Sequence, residues 1–111
     1  MKRGEIWLVG LDPVVGSETG KRRPAVVVQN DLANASSPTV TLVPLTTRTD
    51  RVFPFQVLIP AGEGGLPRSS KALCEQVRTV SRQRLERRLG QLTGERMSEI
   101  RMALDRHLWF D

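Results

Sequence analysis

The sequence predicts a mainly β domain of the β + α type, a small barrel of five to six strands with a C-terminal α-helix. Short apolar runs rich in valine, isoleucine and leucine recur between clusters of glycine, proline, asparagine and serine, which is typical of short strands joined by turns. After residue 93 the pattern changes, and apolar residues recur at helical spacing. A chain of 111 residues is long enough for one core, so we expect residues 1–111 to form a single domain.

The strands are predicted in order from these apolar runs. The first covers residues 4–11 and the second residues 24–29. The third covers residues 39–45, and Pro44 places it at an edge or at a bulge because proline cannot donate to a ladder. The fourth covers residues 53–59, the fifth is a long strand over residues 70–80, and the sixth covers residues 85–90.

The remaining segments are turns, loops and one helix. Residues 14–22 and 60–67 are glycine-containing loops, and residues 30–38 carry turn-forming side chains. Ser81 is a cap for a single helical turn that follows it. Thr93 is the predicted N-cap of a helix over residues 94–108, after which Trp109 and Phe110 are expected to pack on the barrel or at a dimer interface.

Charge and composition narrow the function. The formal net charge is +5 and the sequence pI about 10.6, with arginines concentrated between residues 78 and 88, which favours a polyanionic partner or a solvated basic face. The single Cys74 excludes an internal disulfide, and with one histidine no Cys/His metal site or other cofactor is expected. Without an apolar run long enough to span a membrane, and without a signal peptide, the expected location is the cytoplasm.

Arg23 begins the most regular strand of the chain. Pro24 fixes its own φ and biases Arg23 towards extended geometry, so the start of this strand is held rigidly. The guanidinium fork matches the geometry of a phosphate, and Arg23 follows a polar, glycine-containing loop. Arg23 is therefore a candidate phosphate contact, with a solvated surface charge as the alternative.

Five blocks of the sequence, in their order and spacing, resemble the MazF/PemK toxin family. They are Lys2-Arg3-Gly4-Glu5-Ile6-Trp7, Asp12-Pro13-Val14-Val15-Gly16-Ser17-Glu18, Arg23-Pro24-Ala25-Val26-Val27-Val28-Gln29-Asn30, Pro44-Leu45-Thr46 and Glu75-Gln76-Val77-Arg78-Thr79-Val80. Each block alone is weak, but the five together cover nearly the whole chain without a large insertion.

The resemblance implies an SH3-like barrel of the PemK-like/CcdB-like type that forms a homodimer. It also implies ribosome-independent, sequence-specific cleavage of single-stranded RNA (mRNA, with rRNA as a second substrate), giving a 2′,3′-cyclic phosphate and a 5′-hydroxyl. The implied partner is a cognate MazE-like antitoxin, and the toxin–antitoxin complex is a candidate DNA binder.

The resemblance also implies the site residues. The catalytic pair falls on Arg23 and Thr46, and the lesser catalytic candidates are the acids Glu18 and Glu75. The expected RNA-binding residues are Gly16, Ser17, Glu18, Lys21, Arg22, Thr47, Gln76 and Arg78.

Metal-free RNA cleavage uses the substrate's 2′-hydroxyl as the nucleophile. It needs a base for the proton of that hydroxyl, an acid for the leaving 5′-oxygen, and positive charge beside the phosphorane. A two-histidine mechanism within one chain is excluded because His107 is alone, and it is interpreted as a partner of the helix C-terminus. Arg23 suits the phosphorane charge better than a base, because guanidinium pKa values lie above about 12. In a regular fifth strand Gln76 and Arg78 share one face and Glu75 lies on the other, so Glu75 and Arg78 line one site only at a bulge.

Two other functions stay open at this point. A CcdB-like toxin acts on DNA gyrase without an enzymatic reaction, but this chain ends in Leu108-Trp109-Phe110-Asp111 rather than in that group's tryptophan-glycine-isoleucine pattern. A plain nucleic-acid-binding barrel accounts for the net charge and the arginine cluster.

Overall fold

The computed structural model describes residues 1–109, which contain seven strands and two α-helices. The elements are β1 (Glu5–Gly10), β2 (Arg22–Val27), α1 (Asp31–Ser36), β3 (Thr39–Thr46), β4 (Gln56–Ile59), β5 (Ser70–Leu73), β6 (Arg78–Ser81), β7 (Leu85–Gln91) and α2 (Gly94–Leu108). Short 3-10 turns cover Glu63–Gly65, Cys74–Gln76 and Arg82–Arg84. The predicted class, a mainly β barrel with a C-terminal helix, is confirmed.

All strand pairs are antiparallel, and the strands follow the order β4-β5-β3-β2-β1-β7 with β6 beside β3. β3 is the centre of this arrangement. Its first half pairs with β6 up to Leu42, and its end pairs with β5 from Leu45 onward. Pro44 stands opposite Ala25 of β2 and lies between the stretches that pair with β6 and β5, so its missing N–H interrupts neither of those two ladders. Of the two predicted positions, an edge or a bulge, the edge is wrong because β3 is central.

The strands bury side chains on both faces, which explains why the β2 sequence is a continuous apolar run. Val26 joins Val43 and Ile100 in one cluster, whereas Ala25 and Val27 join a second cluster on the other face. α2 covers the first cluster and begins at Thr93, whose side chain accepts a hydrogen bond from the Arg96 N–H at 3.1 Å, as predicted.

The two ends of the strand order meet where the turn Glu63–Gly65, which follows β4, packs against β7. A Cβ atom on Gly90 would lie 2.3 Å from the carbonyl oxygen of Gly64, and one on Gly65 would lie 2.0 Å from the carbonyl oxygen of Leu89. Only glycine permits this backbone-to-backbone approach. We call this contact the glycine seam.

Two predictions of local structure are wrong. The fifth strand is not continuous, because the 3-10 turn Cys74–Gln76 divides it into β5 and β6 and raises the strand count to seven. Residues 31–36 form α1 rather than turns, since Asn30 acts as an N-cap and accepts a hydrogen bond from the Ala33 N–H at 2.8 Å. Trp109 is 83% exposed and does not pack on the barrel, so the dimer interface remains as its predicted position, and Phe110 lies outside the described residues.

The arginines near β7 bind other parts of the chain. Arg82 donates to the carbonyl of Asn34, and Arg84 donates to the carbonyls of Gly10 and Asp12. Arg88 pairs with Glu5 at 3.1 Å. These three guanidinium groups bind acceptors within the chain itself, so much of the arginine cluster between residues 78 and 88 has a structural role.

No helix in residues 1–109 has both the length and the apolar character needed to cross a membrane.

Candidate active site

Arg23 lies near the start of β2, where the preceding loop fixes its orientation. The loop ends in a tight turn with Lys21 at φ 64°, held by a hydrogen bond from the Lys21 N–H to the Asp12 carboxylate at 2.8 Å. The Nε of Arg23 donates to the Gly20 carbonyl at 3.0 Å. Within residues 1–109 no carboxylate forms an ion pair with Arg23, so its terminal nitrogens face no internal counter-charge.

Thr46 is the last residue of β3. Its hydroxyl oxygen accepts a hydrogen bond from the backbone N–H of Arg48 at 3.3 Å, so the hydroxyl hydrogen is directed elsewhere. In the ladder with β5, Thr46 stands opposite Lys71. Directly opposed residues of antiparallel strands present their side chains on the same face, so Thr46 and Lys71 are neighbours.

Arg23 and Thr46 meet in one open depression of about 320 Å³, which we call the Arg23 depression. Both predicted catalytic residues therefore line the same surface. The depression is bounded by Ser17, Glu18, Thr19, Gly20, Arg23, Thr46, Arg48, Lys71 and Leu73.

A second depression of about 510 Å³, which we call the Gln76 depression, shares Ser17 and Glu18 with the first. It is lined by Ser17, Glu18, Glu75, Gln76, Val77 and Arg78. The regular strand predicted for residues 73–78 is therefore wrong, and an interruption of the strand lets Glu75 and Arg78 line one site. The 3-10 turn Cys74–Gln76 replaces regular strand geometry, so Glu75, Gln76 and Arg78 all border one surface.

The loop between β1 and β2 is tied to this turn by a single long-range hydrogen bond. The backbone N–H of Thr19 donates to the side-chain oxygen of Gln76 at 2.6 Å. Within the loop, the N–H of Val15 donates to the Glu18 carboxylate at 2.6 Å. These contacts place Ser17 and Glu18 on the border between the two depressions.

Glu75 and Glu18, the two acidic candidates, differ in their surroundings. Glu75 accepts a hydrogen bond from the Gln56 amide at 2.8 Å through one oxygen, while its other oxygen is buried without a partner in the described chain. Burial, assisted by the neighbouring Glu75 carboxylate, raises the pKa of the Cys74 thiol to about 12. Glu18 is exposed and lines both depressions, whereas Glu75 lines only the Gln76 depression.

Four residues that the sequence assigns to RNA binding line neither depression. They are Gly16, Lys21, Arg22 and Thr47. Arg22 pairs with Glu86 at 2.7 Å, and hydrogen bonding to this carboxylate raises the pKa of the Arg22 guanidinium above its ordinary value. The remaining expected contacts (Ser17, Glu18, Gln76 and Arg78) do border the depressions.

The sequence interpretation missed two basic residues of the Arg23 depression, Arg48 and Lys71. Arg48 follows Thr46 by two residues, and this short spacing in the sequence could have identified Arg48 as a neighbour of the site. Lys71 is placed by the register between β3 and β5, which joins segments 25 residues apart and has no signature in the local sequence.

His107 lies in the last turn of α2, as predicted, and its ring centroid is 6.5 Å from that of Phe55. In the described part of the chain, no three His, Cys, Asp or Glu side chains gather in a group that could hold a metal ion.

The sequence profile of the family described as PemK-like, MazF-like toxin of type II toxin-antitoxin system matches residues 2–108. The chain belongs to this family. It is similar to Endoribonuclease MazF9 of Mycobacterium tuberculosis, with 44% identity over 97% of this chain and 96% of that protein.

Solved structures of relatives have the same fold. MazF of Deinococcus radiodurans superposes with a TM-score of 0.86 at 27% identity, over 99% of this chain and 97% of that one. A MazE–MazF structure from the same organism gives a TM-score of 0.79 at 26% identity, over 100% of this chain and 97% of that one.

Proposed function

We propose that this chain is the toxin of a type II toxin–antitoxin pair and a sequence-specific endoribonuclease that cleaves single-stranded RNA by attack of the 2′-hydroxyl. Residues 1–111 would act as one toxin domain in the cytoplasm, where mRNA is found. Membership of the toxin family and the 44% identical relative named an endoribonuclease support the activity. The observation that carries the assignment to this site is that Arg23 and Thr46 line one depression.

Arg23 stabilises the phosphorane that forms when the 2′-oxygen attacks phosphorus. Its Nε is occupied by the Gly20 carbonyl, which fixes the plane of the guanidinium and leaves its terminal nitrogens for two non-bridging oxygens. Because the loop turn and the strand hold Arg23 in place before substrate binds, little reorganisation is needed as charge develops.

Thr46 supplies one neutral hydrogen bond to the same phosphate. The Arg48 N–H occupies a lone pair of the hydroxyl oxygen, so the hydroxyl acts as a donor towards the depression.

Glu18 is the acceptor of the 2′-hydroxyl proton in this proposal, and the 5′-oxygen that leaves phosphorus takes a proton from water to become the 5′-hydroxyl. It is the only carboxylate among the residues lining the Arg23 depression, and its side chain is exposed there. Glu75 lines only the adjacent depression, where Gln56 binds one of its oxygens and the other oxygen is buried, so we assign it no proton transfer.

The Gln76 depression holds a nucleotide next to the scissile phosphate. Gln76 offers its side-chain N–H groups to a base edge, and Arg78 offers a phosphate contact. Lys21, the last residue of the adjacent loop, and Arg22, the first residue of β2, remain proposed contacts for the more distant RNA backbone.

The proposed partners are a second copy of this chain and a MazE-like antitoxin, by analogy with the MazE–MazF structure from Deinococcus radiodurans. DNA binding is proposed only for the toxin–antitoxin complex.

The proposal is tested by incubating purified protein with a long RNA in EDTA and mapping the ends. We expect discrete cuts at one short sequence, with 2′,3′-cyclic phosphate and 5′-hydroxyl termini. Arg23→Ala should abolish cleavage while keeping its folding transition, and Arg101→Ala, which removes an exposed charge from α2, should cleave like the wild type. Intact RNA with the wild-type protein would instead favour the CcdB-like or plain binding function.

A further inference from the structure

Lys71 is a nearly buried cation at the floor of the Arg23 depression. The residue is 9% exposed, and its ammonium donates to the backbone carbonyl of Arg51 at 2.5 Å. It lies opposite Thr46 in the β3–β5 ladder and borders the same depression as Arg23.

This ammonium has no internal counter-charge. In residues 1–109 no carboxylate pairs with Lys71, and the Arg51 carbonyl satisfies only one of its three N–H donors. Buried charges in proteins are usually paired or coordinated, because removing them from water is unfavourable. Here the face left open is the depression that Arg23 and Thr46 line.

An anion bound in the depression would supply the missing counter-charge and hydrogen-bond acceptors to the Lys71 ammonium. The β-ladder and the Arg51 carbonyl hold the side chain before substrate binds, so its charge is preorganised rather than recruited. The acidic residue lining the depression, Glu18, is an exposed loop side chain already held by the Val15 N–H.

We propose that Lys71 is a phosphate-contacting residue of the RNA site, which donates to a non-bridging oxygen at or next to the scissile phosphate. The inference rests on the proposed endoribonuclease function and adds a cation to it. Lys71 transfers no proton in this role; it contributes charge and hydrogen bonds beside Arg23 and Thr46.

The alternative is that Lys71 only holds the segment around Arg51 in place. A phosphate contact can be separated from that role through the salt dependence of RNA binding. Each phosphate neutralised in a single strand contributes about 0.7 to the slope of log Kd against log salt concentration. A purely structural lysine changes the affinity without changing this slope.

The experiment uses the RNA segment mapped as the wild-type cleavage site, with a 2′-deoxynucleotide at the cut position so that it binds without being cleaved. We expect Lys71→Gln to reduce the salt slope by about 0.7 and, on the normal RNA, to lower the single-turnover cleavage rate by about 100-fold. Lys71→Arg should keep the slope because it keeps the charge. Lys2→Gln, an equal charge change at an exposed position outside both depressions, should keep both slope and rate.

An unchanged slope in folded Lys71→Gln would overturn the inference while the RNA-cleaving function stands. If the wild-type protein neither binds nor cleaves RNA, the proposed function fails as well.

A second measurement does not depend on the folding of a variant. The chain has three lysines, so the side-chain ammonium signals of 15N-lysine-labelled wild-type protein are simple to assign. The Lys71 signal should shift as the uncleavable RNA is added, and the Lys2 signal should not. A Lys71 signal that stays in place at saturation would contradict a phosphate contact.

Discussion

Replacing Gly90 with alanine introduces a methyl group into the glycine seam, where the turn after β4 approaches β7. The new Cβ would lie 2.3 Å from the carbonyl oxygen of Gly64, 2.4 Å from its carbonyl carbon and 2.8 Å from the nitrogen of Gly65. All three atoms belong to the backbone, so no side-chain rotation relieves the contact. The turn must move away from β7 by about 1 Å to reach ordinary van der Waals distance.

This displacement opens the junction between the two ends of the strand order. Overpacking of this kind costs about 1–3 kcal/mol, against which alanine recovers about 0.5–1 kcal/mol of chain entropy relative to glycine. We therefore expect Gly90→Ala to lower the free energy of unfolding by about 1 kcal/mol. For a chain of this length that corresponds to a fall in Tm of roughly 4 °C.

Urea denaturation at one fixed protein concentration measures the effect. Gly94→Ala is the matched control, because no atom lies within 4 Å of its added Cβ and it occupies the first position of α2. That variant should be as stable as the wild type or more stable by up to about 1 kcal/mol. A Gly90→Ala protein with wild-type stability would refute the steric account of the seam.

Three further predictions concern single side chains. Thr46→Val should lower the cleavage rate by about 100-fold with an unchanged Tm, because it removes one hydrogen-bond donor to the phosphate. Thr46→Ser should restore activity. Equal cleavage rates for Thr46→Val and Thr46→Ser would contradict this role. Burial raises the pKa of the Cys74 thiol to about 12, so its contribution to stability is full below about pH 8.5 and is lost as the pH rises towards 12. Urea titrations at several pH values should show the free energy of unfolding falling over this range. Cys74→Ala should remove that fall. Hydrogen bonds from the Arg3 N–H and the Asn34 amide lower the pKa of Asp31, so stability present above about pH 4 should fall as the pH drops through the lowered pKa. If Asp31→Asn leaves the loss of stability at acidic pH unchanged, this prediction is wrong.

Local rules identified Arg23 as a candidate phosphate contact because it directly precedes Pro24, whereas Thr46 became a candidate only through the family resemblance. Pro24 marks the start of one strand, and the polar residues after Thr46 mark the end of another. That both side chains line the same depression depends on the sheet, in which β3 pairs with β2 on one edge and with β5 on the other. Local sequence patterns do not indicate this strand register.

The same limit accounts for the errors. A run of residues with strand propensity from 70 to 80 gave no sign of the 3-10 turn at Cys74–Gln76, and that turn brings Glu75 to the same surface as Arg78. Lys71 was overlooked because its importance lies in its burial beside Thr46, a consequence of strand pairing. The arginine cluster looked like an external basic face, yet Arg82 and Arg84 bind carbonyls of distant segments.

We propose that this chain cleaves RNA at the Arg23 depression through the substrate's own 2′-hydroxyl. The most direct measurement places a single 2′-deoxynucleotide at the mapped cut position of an otherwise normal RNA. We expect the RNA to bind with nearly unchanged affinity and to remain intact at that position, while the all-ribose control is cut to a 2′,3′-cyclic phosphate. Cleavage of the 2′-deoxy RNA at the control rate, or a product with a 5′-phosphate, would contradict the mechanism.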